Sequence, residues 1–243
     1  MPSDAATILL AARKDPANRP ADLPDPPATL LAAYEIQAEI QAELGPIGGW
    51  KVGAPTPDTF TCAPLPASRV EQGPARVDQS ECPDRGVEAE IAVRLAHDLP
   101  PRETPYSRDE VIAAIASAHP AIELLQSRFG GTPAPMSALA DSLSHYGLVW
   151  GPAIEGWQSI DLAAEGVAVL VNGTEVKRGT GNPAGEMIRL VEWMANEGAR
   201  WAGGLKAGQF VTTGSWTGKD TVPAGGTARI VFEHCGSVEV TYA

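Results

Sequence analysis

Glycine and proline interrupt this chain so often that no long helix can run through it. The 243 residues include 25 Gly and 22 Pro; each proline removes a backbone donor, and each glycine raises the entropic cost of a regular segment. Many turns and short elements are expected, which leans the fold toward β structure and away from a helical bundle. Prolines cluster at Pro16, Pro20, Pro24, Pro26 and Pro27, so Asp15 to Pro27 reads as a connector. It separates a short predicted helix over Ala5 to Ala12, capped by Asp4, from a second over Ala28 to Leu44. In the second, Ala33, Ile36, Ile40 and Leu44 recur at helical spacing and Gly45 supplies the stop.

Beyond Pro46 strand signals dominate. Arg85 to Leu95 alternates through Val87, Ile91 and Val93, and Asp98-Leu-Pro-Pro ends it. Ser107 and Glu110 match a capping box, followed by a helix face of Val111, Ile112 and Ile115 that Pro120 is expected to close. Ala121 to Gln126 reads as a buried strand. Gly166 to Val171, Asn172-Gly173 and Thr174 to Lys177 form a hairpin signal, because Asn-Gly suits the two positive φ angles of a type I′ turn. Met187, Leu190, Val191 and Met194 give a helix stripe, and Gln209–Thr213, Ala228–Glu233 and Val238–Tyr242 read as three further strands. The division expected is a helical segment over 1–46 and a β-rich catalytic core over 47–243.

Hydrophobic residues make up 44% of the chain and charged residues 20%, enough for one sizeable core. The net charge of −12 argues against a nucleic-acid partner, which needs clustered Lys and Arg. No stretch approaches the roughly 20 apolar residues of a membrane span, and no leader pattern opens the chain. Cys62, Cys82 and Cys235 are scattered, with no CxxC pair. They suit a reducing cytoplasm better than a disulfide framework or a thiolate zinc site.

The most informative chemistry lies in Glu88-Ala-Glu90, because a strand's period of two puts both carboxylates on one face. Such a pair is either a solvated face or part of a cation site. Glu123 lies in the apolar run Pro120-Ala-Ile-Glu-Leu-Leu, where an unpaired carboxylate would cost several kcal/mol to bury. Its compensation is either an ion pair, with Arg128 or Lys51 available, or a hard divalent cation shared with Glu88 and Glu90. Lys51, inside Gly49-Trp-Lys-Val-Gly53, is either a snorkelling surface residue or a buried amine facing a carboxylate or oxyanion. Thr212 to Gly218 offers hydroxyls and backbone N–H groups suited to a carboxylate, as many ordinary loops do. His97, His119, His145 and His234 fall at no metal-ligand spacing. His145, within Asp141-Ser-Leu-Ser-His, reads as part of a hydrogen-bonded turn. GxSxG, P-loop and GxGxxG motifs are missing.

Taken in order, Gly49-Trp-Lys-Val-Gly, Glu88-Ala-Glu-Ile-Ala, Asp98-Leu-Pro, Ala121-Ile-Glu with Ser127-Arg128, Val171-Asn-Gly, Gly179-Thr-Gly with Asn182-Pro183, and Thr213-Gly-Ser resemble the fumarylacetoacetate hydrolase superfamily. The branch most similar is that of the 2-hydroxypenta-2,4-dienoate (2-keto-4-pentenoate) hydratases and 2-oxo-3-hexenedioate decarboxylases. The resemblance implies an α+β fold built on a mixed β-sheet roll, with flanking helices and an N-terminal helical segment. It also implies Mg²⁺ or Mn²⁺ held by Glu88, Glu90 and Glu123, and an active-site lysine at Lys51. Substrate contacts are implied at Arg128, Ser144, Thr213, Gly214, Ser215 and Thr217, in a homo-oligomer acting on a small 2-oxo acid.

A 2-oxo acid presents a carboxylate and a keto oxygen that one metal can chelate, consistent with that set of residues. The activity expected first is hydration of a 2-hydroxypenta-2,4-dienoate-type acid to a 4-hydroxy-2-oxo acid. Decarboxylation of a 2-oxo-3-hexenedioate-type acid is the second. C–C hydrolysis of an acylpyruvate ranks third, because water activation there calls for a His-carboxylate pair and no histidine reads as lying beside the Glu88-Ala-Glu90 strand. A non-catalytic partner subunit is the fourth.

Overall fold

The computed structural model describes residues 2–56 and 58–243. Two helices come first, α1 (Asp4–Lys14) and α2 (Leu30–Leu44), joined by the irregular proline-rich connector. Ser3 caps α1, its hydroxyl accepting from the Ala6 N–H, so the cap lies one residue before the expected Asp4. Thr29 caps α2 and Gly45, at φ 96°, ends it.

Strands β1 (Ile47–Thr56), β2 (Thr59–Pro66), β3 (Val70–Gln72), β4 (Ala75–Val77) and β5 (Gly86–Leu95) follow. Next come α3 (Arg108–Ala113), β6 (Ile115–Leu125), α4 (Pro135–Ala140), β7 (His145–Trp150), β8 (Gly166–Val171) and β9 (Thr174–Thr180). The chain closes with α5 (Met187–Trp193), β10 (Phe210–Thr212), β11 (Asp220–Thr221), β12 (Thr227–Phe232) and β13 (Ser237–Tyr242). The hairpin at Asn172-Gly173 forms as expected, with φ of 50° and 78° at its two turn residues. No helix among the described residues is long and apolar enough to cross a membrane.

One expectation fails. Ile115 and Pro120 belong to β6, not to the end of a helix, and α3 stops at Ala113. Proline is normally barred from a strand paired on both sides, because it cannot donate to the ladder. Pro120 is tolerated because it sits opposite Ile91, whose carbonyl turns the other way to accept from Thr213. On its remaining side β7 has ended, and only the Pro120 carbonyl is needed, to accept from Gly151 N–H at 2.8 Å.

Among the described residues, eight strands form one mixed sheet, ordered β2-β1-β10-β5-β6-β7-β3 with β11 pairing β5. Five form a second, β4-β13-β12-β8-β9. The first sheet curls until β2 approaches β7, making a roll. Its outer face, with Val87, Ala89, Ile91 and Val93 of β5, packs on Val167, Val169, Ile230 and Val240 of the second sheet as the main core. Its inner face carries a smaller apolar layer of Leu65, Ala92, Ala121, Leu148 and Phe210. The α1 and α2 helices pack with α4 and Phe129 in a cluster of their own. This is the α+β roll with flanking helices that the sequence led us to expect.

Candidate active site

In the antiparallel pairing of β5 with β6, Glu88 stands directly opposite Glu123 and Glu90 opposite Ala121. Alternation therefore brings three carboxylates to the inner face of the roll, where one oxygen from each lies within 4.8 Å of the others. Glu90 and Glu123 are 2% and 0% exposed. Like charges facing each other across a ladder destabilise it, and burial makes the repulsion worse. Burial and the Glu123 charge push the Glu88 carboxyl up. Burial, Glu123 and Glu88 together push Glu90 well above the usual range.

Lys51, on β1, supplies part of the compensation. Its amine lies 2.7 Å from Glu123 Oε1 and donates to the Leu143 carbonyl at 3.4 Å. Burial works against its charge, but Glu123 and Glu88 hold the amine protonated with a raised pKa. On the same Glu123 oxygen, His145 places Nδ1 at 2.9 Å. Burial opposes the Glu123 charge as well, yet Lys51 and His145 keep that carboxyl down at about 2. Burial lowers His145 to about 4 against the pull of Glu123, so its ring is neutral. With Glu123 ionised, Nδ1–H is the donor, leaving a lone pair on Nε2.

One lysine cannot neutralise three carboxylates, and the structure leaves further capacity unused. Glu123 Oε2 and His145 Nε2 are buried without a protein partner. An all-oxygen, multiply acidic donor set with an orphaned carboxylate oxygen fits a hard divalent cation such as Mg²⁺ or Mn²⁺, with Glu88, Glu90 and Glu123 as the residues able to hold it.

The turn that aims His145 is strained. Ser142, Leu143 and Ser144 stand consecutively in the left-handed region, at φ 55°, 54° and 64°, a conformation costing about 1–2 kcal/mol per L residue. Arg128 clamps both ends of it. Its Nε pairs with the Asp141 carboxylate, one Nη donates to the Gln126 and His145 carbonyls, and the other donates to the Asp141 carbonyl. Expected to touch substrate, Arg128 is instead 1% exposed, with four of its five N–H groups spent on this turn. Ser144 lies within the turn, its carbonyl accepting from Gln126 N–H.

After β10 the chain passes beside Glu90, whose Oε2 accepts from Gly214 N–H at 2.9 Å. Gly214 has φ +90°, and a Cβ there would lie 2.9 Å from that of Ala184, so both backbone and space call for glycine. Asn182 donates to the Thr213 carbonyl at 2.6 Å and fixes the loop. The Thr213 hydroxyl donates to the Ile91 carbonyl. Ser215 Oγ accepts from Gly218 N–H, and the Thr217 hydroxyl donates to the Gly218 carbonyl. Both side chains are partly exposed.

Two residues noted in the sequence, Thr212 in its hydroxyl-rich loop and His145 in its turn, stand nearer the acidic site than the sequence reading placed them. Thr212 stands opposite Lys51 in the β1–β10 register, with a buried hydroxyl lacking a protein partner. No histidine was expected beside the Glu88-Ala-Glu90 strand; His145 reaches the site from one strand further, on β7, and makes the His-carboxylate pair with Glu123. The signal available for it was position: His145 opens β7, the strand paired with the one bearing Glu123.

No family model matches the chain. A 2-hydroxyhexa-2,4-dienoate hydratase from Comamonas testosteroni is 28% identical over 157 residues, 64% of this chain, and the match spans 59% of that enzyme's length. In three dimensions, 4-oxalocrotonate decarboxylase from Pseudomonas putida G7, solved with magnesium and adipate, aligns over 100% of both chains at a TM-score of 0.76 and 24% identity. A Yersinia pestis protein assigned to the fumarylacetoacetate hydrolase family aligns over 82% of this chain and 93% of its own, at a TM-score of 0.57 and 16% identity. The fold is that of the fumarylacetoacetate hydrolase superfamily. In sequence the chain is similar to the Comamonas hydratase, in agreement with the ordered motifs.

Proposed function

We propose that the chain is a divalent-metal-dependent hydratase that adds water to a small unsaturated 2-oxo acid of the 2-hydroxypenta-2,4-dienoate type. The observation that carries this is the convergence of Glu88, Glu90 and Glu123 around an unsatisfied oxygen, with Lys51 and His145 both on Glu123. Bound there, Mg²⁺ or Mn²⁺ would draw in the carboxylate and keto oxygens of a 2-oxo acid and stabilise negative charge developing on the keto oxygen.

The chain's own residues supply the rest. Lys51 spends two of its three N–H groups on Glu123 and Leu143, leaving one for a substrate oxygen or for proton transfer. His145, oriented by Glu123 through Nδ1, offers the free Nε2 lone pair to a proton from the adding water. The Gly214 loop walls the site at Glu90, and its partly exposed hydroxyls at Ser215 and Thr217 are the groups assigned to the substrate's carboxylate end. The Comamonas hydratase supports this choice of reaction.

Decarboxylation of a 2-oxo-hexenedioate-type acid is the second reading, favoured by the full-length likeness to the Pseudomonas decarboxylase. The His145–Glu123 pair also removes the ground on which C–C hydrolysis was placed third. The deciding assay presents the Mg²⁺-loaded protein with 2-hydroxypenta-2,4-dienoate, 2-oxo-3-hexenedioate and an acylpyruvate, read by ultraviolet absorbance and product NMR. A 4-hydroxy-2-oxo acid supports the hydratase, CO₂ the decarboxylase, and pyruvate with a carboxylic acid the hydrolase. Inertness on all three with metal bound would favour a non-catalytic partner subunit.

A further inference from the structure

Behind the strained turn lies a cavity of about 470 Å³, between the end of α1 and the start of β7. None of Glu88, Glu90, Glu123, Lys51 or His145 lines it. Four basic side chains do, Arg13, Lys14, Arg69 and Arg128, against one acid, Glu81. In a chain of net charge −12 this is a local inversion of sign.

The existing pairs do not cancel it. Glu81 is taken by Arg69 at 2.8 Å and by the Tyr146 hydroxyl at 3.0 Å. Asp141, behind the wall, is taken by Arg128. Arg13 makes no hydrogen bond or ion pair among the described residues, and its Nε is buried without a partner. A basic residue in the last turn of a helix is favoured by the helix dipole, which accounts for Lys14, exposed at the end of α1. That preference does not account for Arg13, because a guanidinium serving the dipole has no need to turn inward beside two other arginines. Burial and the neighbouring Arg128 charge, with a smaller push from Arg69, outweigh the opposing pull of Asp141 and lower its pKa to about 9.

We propose that this cavity binds a small doubly charged oxyanion, seated on Arg13 with Lys14 and the remaining Arg128 N–H group. The volume falls within the roughly 300–1,000 Å³ typical of small-molecule sites, and guanidinium groups are the side chains best matched to carboxylate or phosphate oxygens. The site is placed to act on the catalytic turn. Arg128 forms its wall while holding Asp141 and the His145 carbonyl. On β7, Tyr146 faces the cavity and the adjacent His145 faces Glu123. An anion here would neutralise the charge pressing on Arg128 and tighten its hold on the turn.

The proposal stands apart from the assigned reaction, and its test reads binding. Calorimetric titrations of inorganic phosphate and of succinate, with sodium chloride at matched ionic strength as reference, would be run on the full chain with and without Mg²⁺. One site is expected for phosphate or for succinate beyond any chloride response. The preferred anion then tells whether a phosphoryl group or a dicarboxylate is the natural source. Arg13→Gln should weaken binding at least tenfold and Lys14→Gln severalfold, with Arg13→Lys in between. Glu123→Ala, which disables the metal site, should leave it unchanged. Should Arg13→Gln fail to fold, Lys14→Gln and Arg13→Lys carry the comparison. Heats indistinguishable from chloride, undiminished binding in the cavity variants, or binding lost with Glu123→Ala would each overturn the assignment.

Discussion

Glu165 and Glu123 are buried alike, at 1% and 0% exposure, and surrounded oppositely. Glu165 lies just before β8. Its Oε1 accepts from the backbone N–H groups of His234 and Cys235 at 2.7 and 3.1 Å, and its Oε2 meets His234 Nδ1 at 2.8 Å. Both oxygens are spent on the turn between β12 and β13, so the carboxylate is a tie within the second sheet. Glu123 crowds a lysine and a histidine onto one oxygen, leaves the other without a protein partner and faces two more carboxylates. Burial alone therefore does not mark a functional acid; an unmet acceptor among like charges does.

The largest expected effect breaks that contrast at its centre. Glu123→Ala should abolish Mg²⁺ binding by calorimetry and reduce turnover to background, since two carboxylates without the third make a poor site for a hard cation. Unchanged metal affinity would place Glu123 with Glu165 as an architectural acid.

Lys51 comes next. Lys51→Met should lower turnover by a factor on the order of 10² or more, the range of an acid-base group. It should also destabilise the metal-free protein by about 3–5 kcal/mol, because removing one partner of a buried pair strands the other charge. Saturating Mg²⁺ should restore most of that stability while turnover stays low. A variant equally unstable with and without Mg²⁺, yet active, would make Lys51 structural.

How legible this was depends on the range of the interactions. Glu88, Glu90 and the Asn172-Gly173 hairpin follow from local periodicity and turn chemistry, so they could be read directly. The anomaly of Glu123 was visible as a charge in an apolar run, but its register opposite Glu88 was not. The β6 strand was mistaken in part for helix because Pro120 reads as a terminator, until the ladder shows that its missing donor falls beyond the end of β7. His145 and Arg128 could not be assigned locally. Their roles arise from a left-handed turn at Ser142 to Ser144, and nothing in those residue types predicts three positive φ values in a row. The tie at Glu165 was equally hidden, since its partners lie 69 and 70 residues away.

Removing that tie sharpens the comparison from the other side. Glu165→Ala strands two backbone donors, that of Cys235 buried and that of His234 partly so, and should lower stability by about 1–3 kcal/mol in denaturant unfolding. Metal affinity and turnover of the folded fraction should be those of the parent. A loss of Mg²⁺ binding in this variant would mean that the two sheets communicate and that the contrast drawn above is too sharp.

The smallest effect lies in pH, where the two glutamates differ in sign from their neighbours. His234 is raised above its ordinary 6.5 by the hydrogen bond and charge of Glu165, so its stabilising contribution is complete below about pH 6.5 and lost as pH rises through the raised value. Burial opposes ionisation of Glu165, but the donors of His234 and Cys235 lower it below its ordinary 4.5. Its contribution is present above about pH 4.5 and lost as pH falls. The pair is therefore most stabilising between those limits. Glu90, raised by burial and its fellow carboxylates, makes the metal-free protein less stable as pH rises, a trend that Mg²⁺ should suppress. Thermal midpoints of the parent and His234→Ala, compared at pH 5.5 and 8.5, should differ more at the lower pH, with or without Mg²⁺. The difference will be small, since the His234 side chain is 71% exposed and screened by solvent and salt. A gap that instead widens toward pH 8.5 would show that protonated His234 is not the partner Glu165 holds.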